Sequence, residues 1–213
     1  MQANSGVEPW IQSLKMSIFA EHTVGFFNLW LLMVLYLSPM LLTLLLRGRI
    51  FQATSSRFSS SRGSREYNLF VGSKILMLVC FLYAIGIPIR LQTYTAIIGL
   101  IMYVVGFALY SAAWITIAKS EKGKIFSSGL YRISRHPVYL SSAIQFIGAG
   151  FISESWLYLG LSVLVAISDL RNAMEEERIC LEIYGDEYRQ YMLNTARWLG
   201  WPARKSRDHH KST

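Results

Sequence analysis

The chain contains few charged residues and few cysteines. Only 16% of its 213 residues are charged and 53% are hydrophobic, whereas soluble domains average about 25% charged residues. Its two cysteines, Cys80 in an apolar run and Cys180 among glutamates, form neither a disulfide framework nor a zinc-binding spacing. Nucleotide-binding glycine motifs and the zinc-protease motif are also missing from the sequence. This composition argues against an ordinary soluble enzyme and predicts a membrane protein.

Long apolar runs predict the fold. The longest, residues 24–46, has no charge over twenty-three residues, enough for a helix to cross the roughly 30 Å hydrocarbon core of a bilayer. Two further spans are predicted at 75–89 and 94–118, and a helical hairpin with two short apolar arms at 137–152 and 155–167. We therefore expect an all-α integral membrane protein with about five transmembrane helices.

The positive charges predict the orientation. Five crossings place three parts of the chain on the same side of the membrane: the polar segments 47–74 and 119–136, and everything from residue 171 onward. These parts contain six, five and eight of the 21 Lys and Arg residues, respectively. The positive-inside rule makes that side cytoplasmic. Because topology and anionic lipids account for the net charge of +8, no nucleic-acid partner is expected. The segment 47–74 is predicted to be a polar loop.

One polar cluster lies where the hairpin begins, in the sequence SSGLYRISRHPVY at 127–139. Pro137 favours the first position of a helix and keeps His136 out of the α region. A helix start attracts anions, and Arg135 adds to this attraction. Tyr131 and Tyr139 offer aromatic faces on either side. The alternative is that these residues are ordinary membrane-interface side chains.

A second cluster follows the hairpin, from Asp169 to Glu177. Consecutive glutamates at 175–177 point in different directions around a helix, so at least one must face the protein or the membrane surface. Asp169 is predicted to be an intramembrane or interfacial carboxylate that pairs with Arg171 or Arg135. Gly185 is predicted to end the helix and Asp186 to cap the next one. A solvated charge run followed by an amphipathic helix is the alternative.

Together the clusters form a pattern of two motifs. The first motif is S-G-L-Y-x-x-x-R-H-P-x-Y, and the second, which follows the apolar hairpin, is E-E-x-x-x-L-x-x-Y-G-x-x-Y-x-x-Y. In this order they resemble the isoprenylcysteine carboxyl methyltransferase and phospholipid methyltransferase family of integral membrane enzymes. The resemblance covers roughly residues 119–193. It implies S-adenosylmethionine held in a cytoplasm-facing pocket capped by the C-terminal helix, with a lipophilic acceptor entering from the bilayer.

The resemblance also implies roles for individual residues. The implied cofactor contacts are Tyr131, His136, Pro137, Tyr139 and Glu176. Arg135 and Glu176 match the arginine and glutamate on which the activity of the family depends. A carboxylate and an ammonium on the cofactor suit an arginine and a glutamate, respectively. No metal is implied.

The sequence departs from the family at the acceptor side. Carboxyl methyltransferases of the family usually place an arginine four residues before the glutamate that matches Glu176, and this chain has Asn172 there. Arg171 is adjacent but points about 100° away on a helix. We take Arg171 and Asn172 as the candidate substrate-binding residues. The departure weakens the case for a prenylcysteine carboxylate and leaves phospholipid amines and small thiols open.

Two other functions compete with methyl transfer. Sterol reductases share a similar hairpin but bind NADPH, for which basic residues near the last span are expected. This chain has the acidic residues Glu175, Glu176 and Glu177 there, which argue against NADPH binding. The other competing function is that of a lipid-binding or scaffolding relative without turnover.

Neither the acceptor atom nor the oligomeric state follows from the sequence. The membrane is predicted to be the endoplasmic reticulum in a eukaryote or the inner membrane in a bacterium.

The chain is predicted to form a single domain over residues 1–213. Its parts are an interfacial N-terminal segment at 1–23 with Trp10, Leu14 and Ile18 on one face, three spans at 24–118, the hairpin and cofactor-binding region at 119–193, and a basic tail at 194–213. Membrane lipids are the expected surroundings of this domain.

Overall fold

The computed structural model describes residues 17–18, 22–23, 25–47, 65–120 and 124–199. Within these residues the chain is all-helical, apart from isolated bridges and connecting turns, which confirms the predicted class. The helices are α1 (Trp30–Arg47), α2 (Arg65–Ala84), α3 (Tyr94–Lys119), α4 (Pro137–Ile152), α5 (Trp156–Tyr184) and α6 (Asp186–Asn194). A short 3₁₀ turn, Gly129–Arg132, precedes α4.

Three of the described helices are long and apolar enough to cross a membrane. They comprise Tyr67–Ala84 in α2, the whole of α3 and the whole of α5. Trp30–Leu46 in α1 and Pro137–Ile152 are apolar but shorter. The protein is therefore an integral membrane protein, and the total of five crossings stays a prediction. Trp10, Leu14 and most of the segment 47–74 lie outside the described residues.

The first span begins later than predicted, at Trp30 instead of residue 24. Backbone hydrogen bonds join Leu29 N to Ile87 O at 2.8 Å and Ile89 N to Phe27 O at 3.0 Å. The Asn28 amide also donates to the carbonyl oxygen of Ile85 at 2.8 Å. Because these bonds hold residues 27–29 and 87–89 side by side in extended form, neither segment is helical, and the predicted span 75–89 ends early at Ala84.

Two helices extend beyond their predicted bounds. Helix α2 begins at Arg65, so the last ten residues of the predicted polar loop are helical, and Ser73 in this stretch is buried. Helix α5 continues to Tyr184 over 29 residues, about 43 Å at 1.5 Å per residue, whereas the sequence predicted an arm ending at residue 167. The helix continues through its charged residues because Asp169 and Glu177 are buried against other elements instead of facing solvent.

Helices α3 and α4 pack against each other at their glycines. A Cβ atom added to Gly99 would lie 2.6 Å from the backbone oxygen of Gly148, and one added to Gly148 would lie 2.7 Å from that of Gly99. Small residues of this kind let helix backbones approach closely in membranes. Beside this crossing, Tyr36 of α1 stacks on Tyr110 of α3 with ring centroids 4.8 Å apart. Helix α4 is thus fixed between α3 and α5.

The end of α5 turns back toward the start of α4. Gly185 has φ +53 and caps α5 through its N–H, which donates to Leu181 O at 3.0 Å. Glycine adopts this left-handed backbone without a steric penalty. Helix α6 begins directly afterwards at Asp186 with Gly185 as its N-cap, so the predicted capping role of Asp186 is wrong. The helix brings the following residues against the hairpin.

Candidate functional site

The site begins at the N-terminus of α4. Pro137 is the first residue of the helix and His136 its N-cap, with φ −129 and no side-chain capping bond. The His136 ring lies 5.7 Å from that of Tyr139, one turn into the helix. Because the helix start is not capped by the His136 side chain, its first N–H groups form a positive helix end of the kind that binds anions.

Glu177 organises the residues around this helix start. Its carboxylate is only 4% exposed and lies 2.9 Å from Arg135 Nε and 3.1 Å from His136 Nε2. Arg197 makes a bidentate contact with the same carboxylate at 2.7 and 3.1 Å, and this bond raises the pKa of the Arg197 guanidinium. Arg135, His136, Glu177 and Arg197 form what we name the Glu177 cluster, in which one buried carboxylate fixes three cationic or hydrogen-bonding side chains.

Glu176 stays open to a ligand. Its side chain is 32% exposed, and its carboxylate oxygen lies 3.8 Å from His136 Nδ1. The Tyr139 hydroxyl is a further neighbour of this carboxylate. His136 therefore lies between two carboxylates, Glu177 on its Nε2 side and Glu176 on its Nδ1 side. The sequence assigned the ligand to Glu176, and that assignment stays a prediction.

Residues 195–199, which we name the closing segment, fold back onto the cluster from the end of α6. Arg135 N donates to Ala196 O at 2.9 Å, and Ser134 Oγ donates to Arg197 O at 3.1 Å. The Trp198 ring lies 5.7 Å from that of His136. The sequence had grouped this segment with the basic tail, whereas the structure places it against the site.

Tyr131 lies beneath α6. Its side chain is buried, and its carbonyl oxygen accepts a hydrogen bond of 2.6 Å from the Tyr191 hydroxyl. Burial raises the pKa of both phenols well above the usual value, so both hydroxyls are protonated at neutral pH. Helix α6 is thereby tied to the 3₁₀ turn.

The two candidate substrate residues point in different directions. Arg171 is exposed, whereas Asn172 is buried and its amide donates to Ser73 Oγ in α2 at 3.0 Å. The predicted pairing of Asp169 with Arg171 or Arg135 is wrong, because Arg135 contacts Glu177 and Asp169 faces the side chains of Ser142 and Asn172. Helix α5 is thus neutral at Asn172 and acidic at Asp169, both of which are buried.

Sequence reasoning missed Glu177 and Arg197 as site residues. A signal for Glu177 existed, since it lies on the apolar stripe with Leu181, Tyr184 and Tyr188 that faces the protein. No comparable signal existed for Arg197, because a fold-back after α6 depends on tertiary contacts with Ser134 and Arg135.

The residues present suit an S-adenosyl group. An exposed carboxylate at Glu176 suits its ammonium or ribose hydroxyls, and the positive start of α4 beside Arg135 suits its carboxylate. Arg135 Nη1 donates to Met192 O at 3.1 Å, and Arg135 Nε lies 2.9 Å from the Glu177 carboxylate. No group of three potential metal ligands occurs among the residues described.

A comparison with known families supplies the decisive observation: the profile of phospholipid methyltransferase matches residues 75–187. The chain belongs to this family. The match covers α3 to α5, including the helix start at His136 and both Glu176 and Glu177. It therefore includes most of the site described above and agrees with the resemblance seen in the two motifs.

A relative with a known name extends this comparison. Methanethiol S-methyltransferase 1 of Bradyrhizobium diazoefficiens is 31% identical over 72 residues, which cover 34% of this chain and 25% of that protein. The chain thus spans about a quarter of that relative's length. Both the family and the relative carry the name of a methyltransferase.

Proposed function

We propose that this phospholipid methyltransferase family member is an S-adenosylmethionine-dependent methyltransferase acting on a lipophilic acceptor from the bilayer. One observation carries the proposal: Glu176 presents an open carboxylate beside the positive start of α4, while the neighbouring Glu177 is buried. A ligand with both an ammonium and a carboxylate complements these two features. Membership of a methyltransferase family supports the assignment.

The residues of the chain would act mainly by binding and positioning. Glu176, Arg135 and the start of α4 would hold the two charged ends of the amino-acid part, and His136 and Tyr139 would line its path. The closing segment would exclude water. S-adenosylmethionine, when bound, supplies an electrophilic methyl carbon on a sulfonium. Methyl transfer then needs in-line orientation of the acceptor and no covalent protein nucleophile.

We place the site on the cytoplasmic side of the membrane. The polar segments predicted to lie on that side contain 19 of the 21 Lys and Arg residues, in agreement with the positive-inside rule. Acceptors would enter between helices from the bilayer, and surrounding membrane lipids would be the immediate partners.

The experiment is equilibrium binding of S-adenosylmethionine, in parallel with NADPH, to the detergent-purified protein. We expect saturable binding of S-adenosylmethionine that weakens about tenfold in Glu176→Gln, since one charge-assisted hydrogen bond contributes about 1.5–3 kcal/mol. Because the Glu176 side chain is partly exposed, the melting temperature should not change.

Glu182→Gln is the matched control, since Glu182 is an exposed glutamate on the same helix. It should bind S-adenosylmethionine like the wild type. Binding of NADPH alone would overturn the proposal in favour of a reductase, and binding of neither would indicate a lipid-binding or scaffolding protein.

A further inference from the structure

Three large apolar side chains stay exposed beside the candidate site, outside the apolar helices. Ile133, Leu193 and Leu199 are 55%, 53% and 67% exposed, respectively. The first directly follows the 3₁₀ turn, the second lies in α6, and the third ends the closing segment. Single exposed apolar residues are ordinary on protein surfaces, whereas grouped ones mark contacts with a membrane or another protein. We name these three residues the apolar rim.

The segments that carry the apolar rim lie side by side. Arg135 donates from its backbone N to Ala196 O at 2.9 Å and from its Nη1 to Met192 O at 3.1 Å. The hydrogen bond that ties α6 to the 3₁₀ turn joins the same two stretches of chain. Because residues 131–135 and 191–197 are held together at these points, the three rim residues belong to one region of the surface.

The apolar rim is within reach of the lipid headgroups. Ile133 stands four residues before Pro137, which begins the apolar helix α4, and four residues of chain span at most about 14 Å. Headgroups widen a bilayer from about 30 Å of hydrocarbon to about 40–45 Å, and interfacial segments bury their apolar side chains by about 5–10 Å. Ile133 can therefore contact the membrane surface, and the junction with residues 191–197 brings Leu193 and Leu199 to the same region.

Basic residues flank the apolar rim. Arg132 is exposed beside it, and after Leu199 the sequence continues with GWPARKSRDHHK, which has four Lys and Arg against one Asp. The exposed acidic residues Asp186 and Glu187 lie at the start of α6, about 10 Å along its axis from Leu193. An apolar patch with positive flanks complements an anionic bilayer surface. A second copy of the chain fits less well, because it would bring like charges together.

We propose that the apolar rim docks on anionic lipid headgroups and thereby holds the closing segment over the site; the effect on the cofactor rests on the proposed function, whereas the contact with lipid does not. Leu199 ends the segment in which Arg197 binds Glu177. Trp198 of the same segment lies 5.7 Å from His136, measured between ring centroids. Lipid shifts the segment only by binding its two states differently, and the rim offers all three side chains together only when the segment is folded back.

The first measurement detects the contact with lipid and needs no cofactor. The full chain, with Cys80 and Cys180 replaced by alanine, carries a fluorophore attached at Leu193→Cys in nanodiscs that each hold one copy. The discs contain phosphatidylcholine with about one third phosphatidylglycerol, which is anionic. Spin-labelled phosphatidylcholine in these discs should quench the fluorophore about twofold or more, since the rim enters the acyl boundary. Glu187→Cys, at an exposed residue about 120° around α6 from Leu193, is the matched control and should be quenched clearly less.

The second measurement is the dissociation rate of S-adenosylmethionine from the same discs. It should be about fivefold lower with phosphatidylglycerol than in phosphatidylcholine alone, the effect of about one basic side chain near an anionic surface. High salt should abolish this difference, because it screens exposed charges. Leu193→Ser should reduce the difference to less than about twofold and leave the rate in neutral detergent unchanged. Asn194→Ser, at an exposed neighbour on α6, is the matched control and should keep the full difference.

Other results overturn the inference in distinguishable ways. Equal quenching at Leu193→Cys and Glu187→Cys, or quenching at neither, would mean that the apolar rim does not dock on lipid. A rim that is covered by a second copy of the chain would also show no quenching in discs with one copy. Quenching without a difference in dissociation rate between the two lipids would refute the hold on the closing segment. A protein that shows the quenching but binds no S-adenosylmethionine would refute the proposed function and leave the contact with lipid established.

Discussion

Glu177 and Glu176 are adjacent in sequence yet have different environments. Glu177 is enclosed by Arg135, His136 and Arg197, whereas Glu176 has one side open. A helix turns about 100° per residue, so adjacent side chains reach different surroundings. One glutamate therefore holds the site together while the other is free to contact a ligand.

Substitution of Glu177 should lower stability as well as binding. Glu177→Gln leaves Arg135 and Arg197 without their counter-charge, and breaking a buried ion pair costs about 3–5 kcal/mol. We expect a clearly lower melting temperature in detergent, in contrast to Glu176→Gln. A melting temperature equal to that of Glu182→Gln would contradict the central position of Glu177.

Arg197 should control how long the cofactor stays bound. Arg197→Ala removes the bidentate bond that ties the closing segment to α5. We expect the dissociation rate of S-adenosylmethionine to rise about tenfold, since changes in affinity within one site fall mainly on dissociation. Stopped-flow displacement measures this rate. Arg189→Ala, at an exposed arginine of α6, is the control, and equal rates in both variants would refute a closing role.

At the scale of helices, the contact between α3 and α4 predicts a contrast among glycines. Gly148→Ala would place a methyl group against the backbone of Gly99 and Tyr103 at 2.7 and 2.8 Å. Overpacking of this kind costs about 1–3 kcal/mol. Gly160→Ala in α5 meets nothing within 4 Å and should stabilise its helix by up to about 1 kcal/mol. Thermal unfolding in detergent should separate the two variants, and equal stabilities would argue against this packing.

The all-helical fold class and the order of the helices could be predicted from apolar runs, because a bilayer imposes length and polarity on each span. Pro137 and Gly185 likewise marked boundaries that the structure confirms. The start of α1 at Trp30 could not be predicted, since it depends on pairing with residues 87–89, sixty positions away in sequence. The position of Arg197 in the site could not be predicted for the same reason.

The candidate site shows the same division between local and tertiary signals. Tyr131, Arg135, His136 and Glu176 could be grouped from two motifs, and the structure brings their segments together around α4. Which of two adjacent glutamates is buried depends on the rotation of α5 against α4. That rotation is set by the packing between the helices, which cannot be deduced from a single sequence.

For the whole molecule, the charge distribution predicts which side of the membrane the site faces. Helix α3 separates the exposed residues Gln92 and Ser127, and it is long enough to span the bilayer. In a background with Cys80 and Cys180 replaced by alanine, Gln92→Cys should react with an impermeant thiol reagent from outside intact cells. Ser127→Cys should react only after the cells are opened. Labelling of both from one side would refute this topology.

The continuity of α5 constrains how this protein can vary. Asp169, Asn172, Glu176 and Glu177 all lie on one unbroken helix, so their spacing is fixed by chain length alone. Inserting a single residue at position 174 would rotate the two halves by about 100° relative to each other. Substitutions along this stretch can retune the pocket, but a change in length would separate its two ends. Helix α5 therefore fixes the distances between these side chains, and we expect relatives with this chemistry to keep the number of residues between its carboxylates.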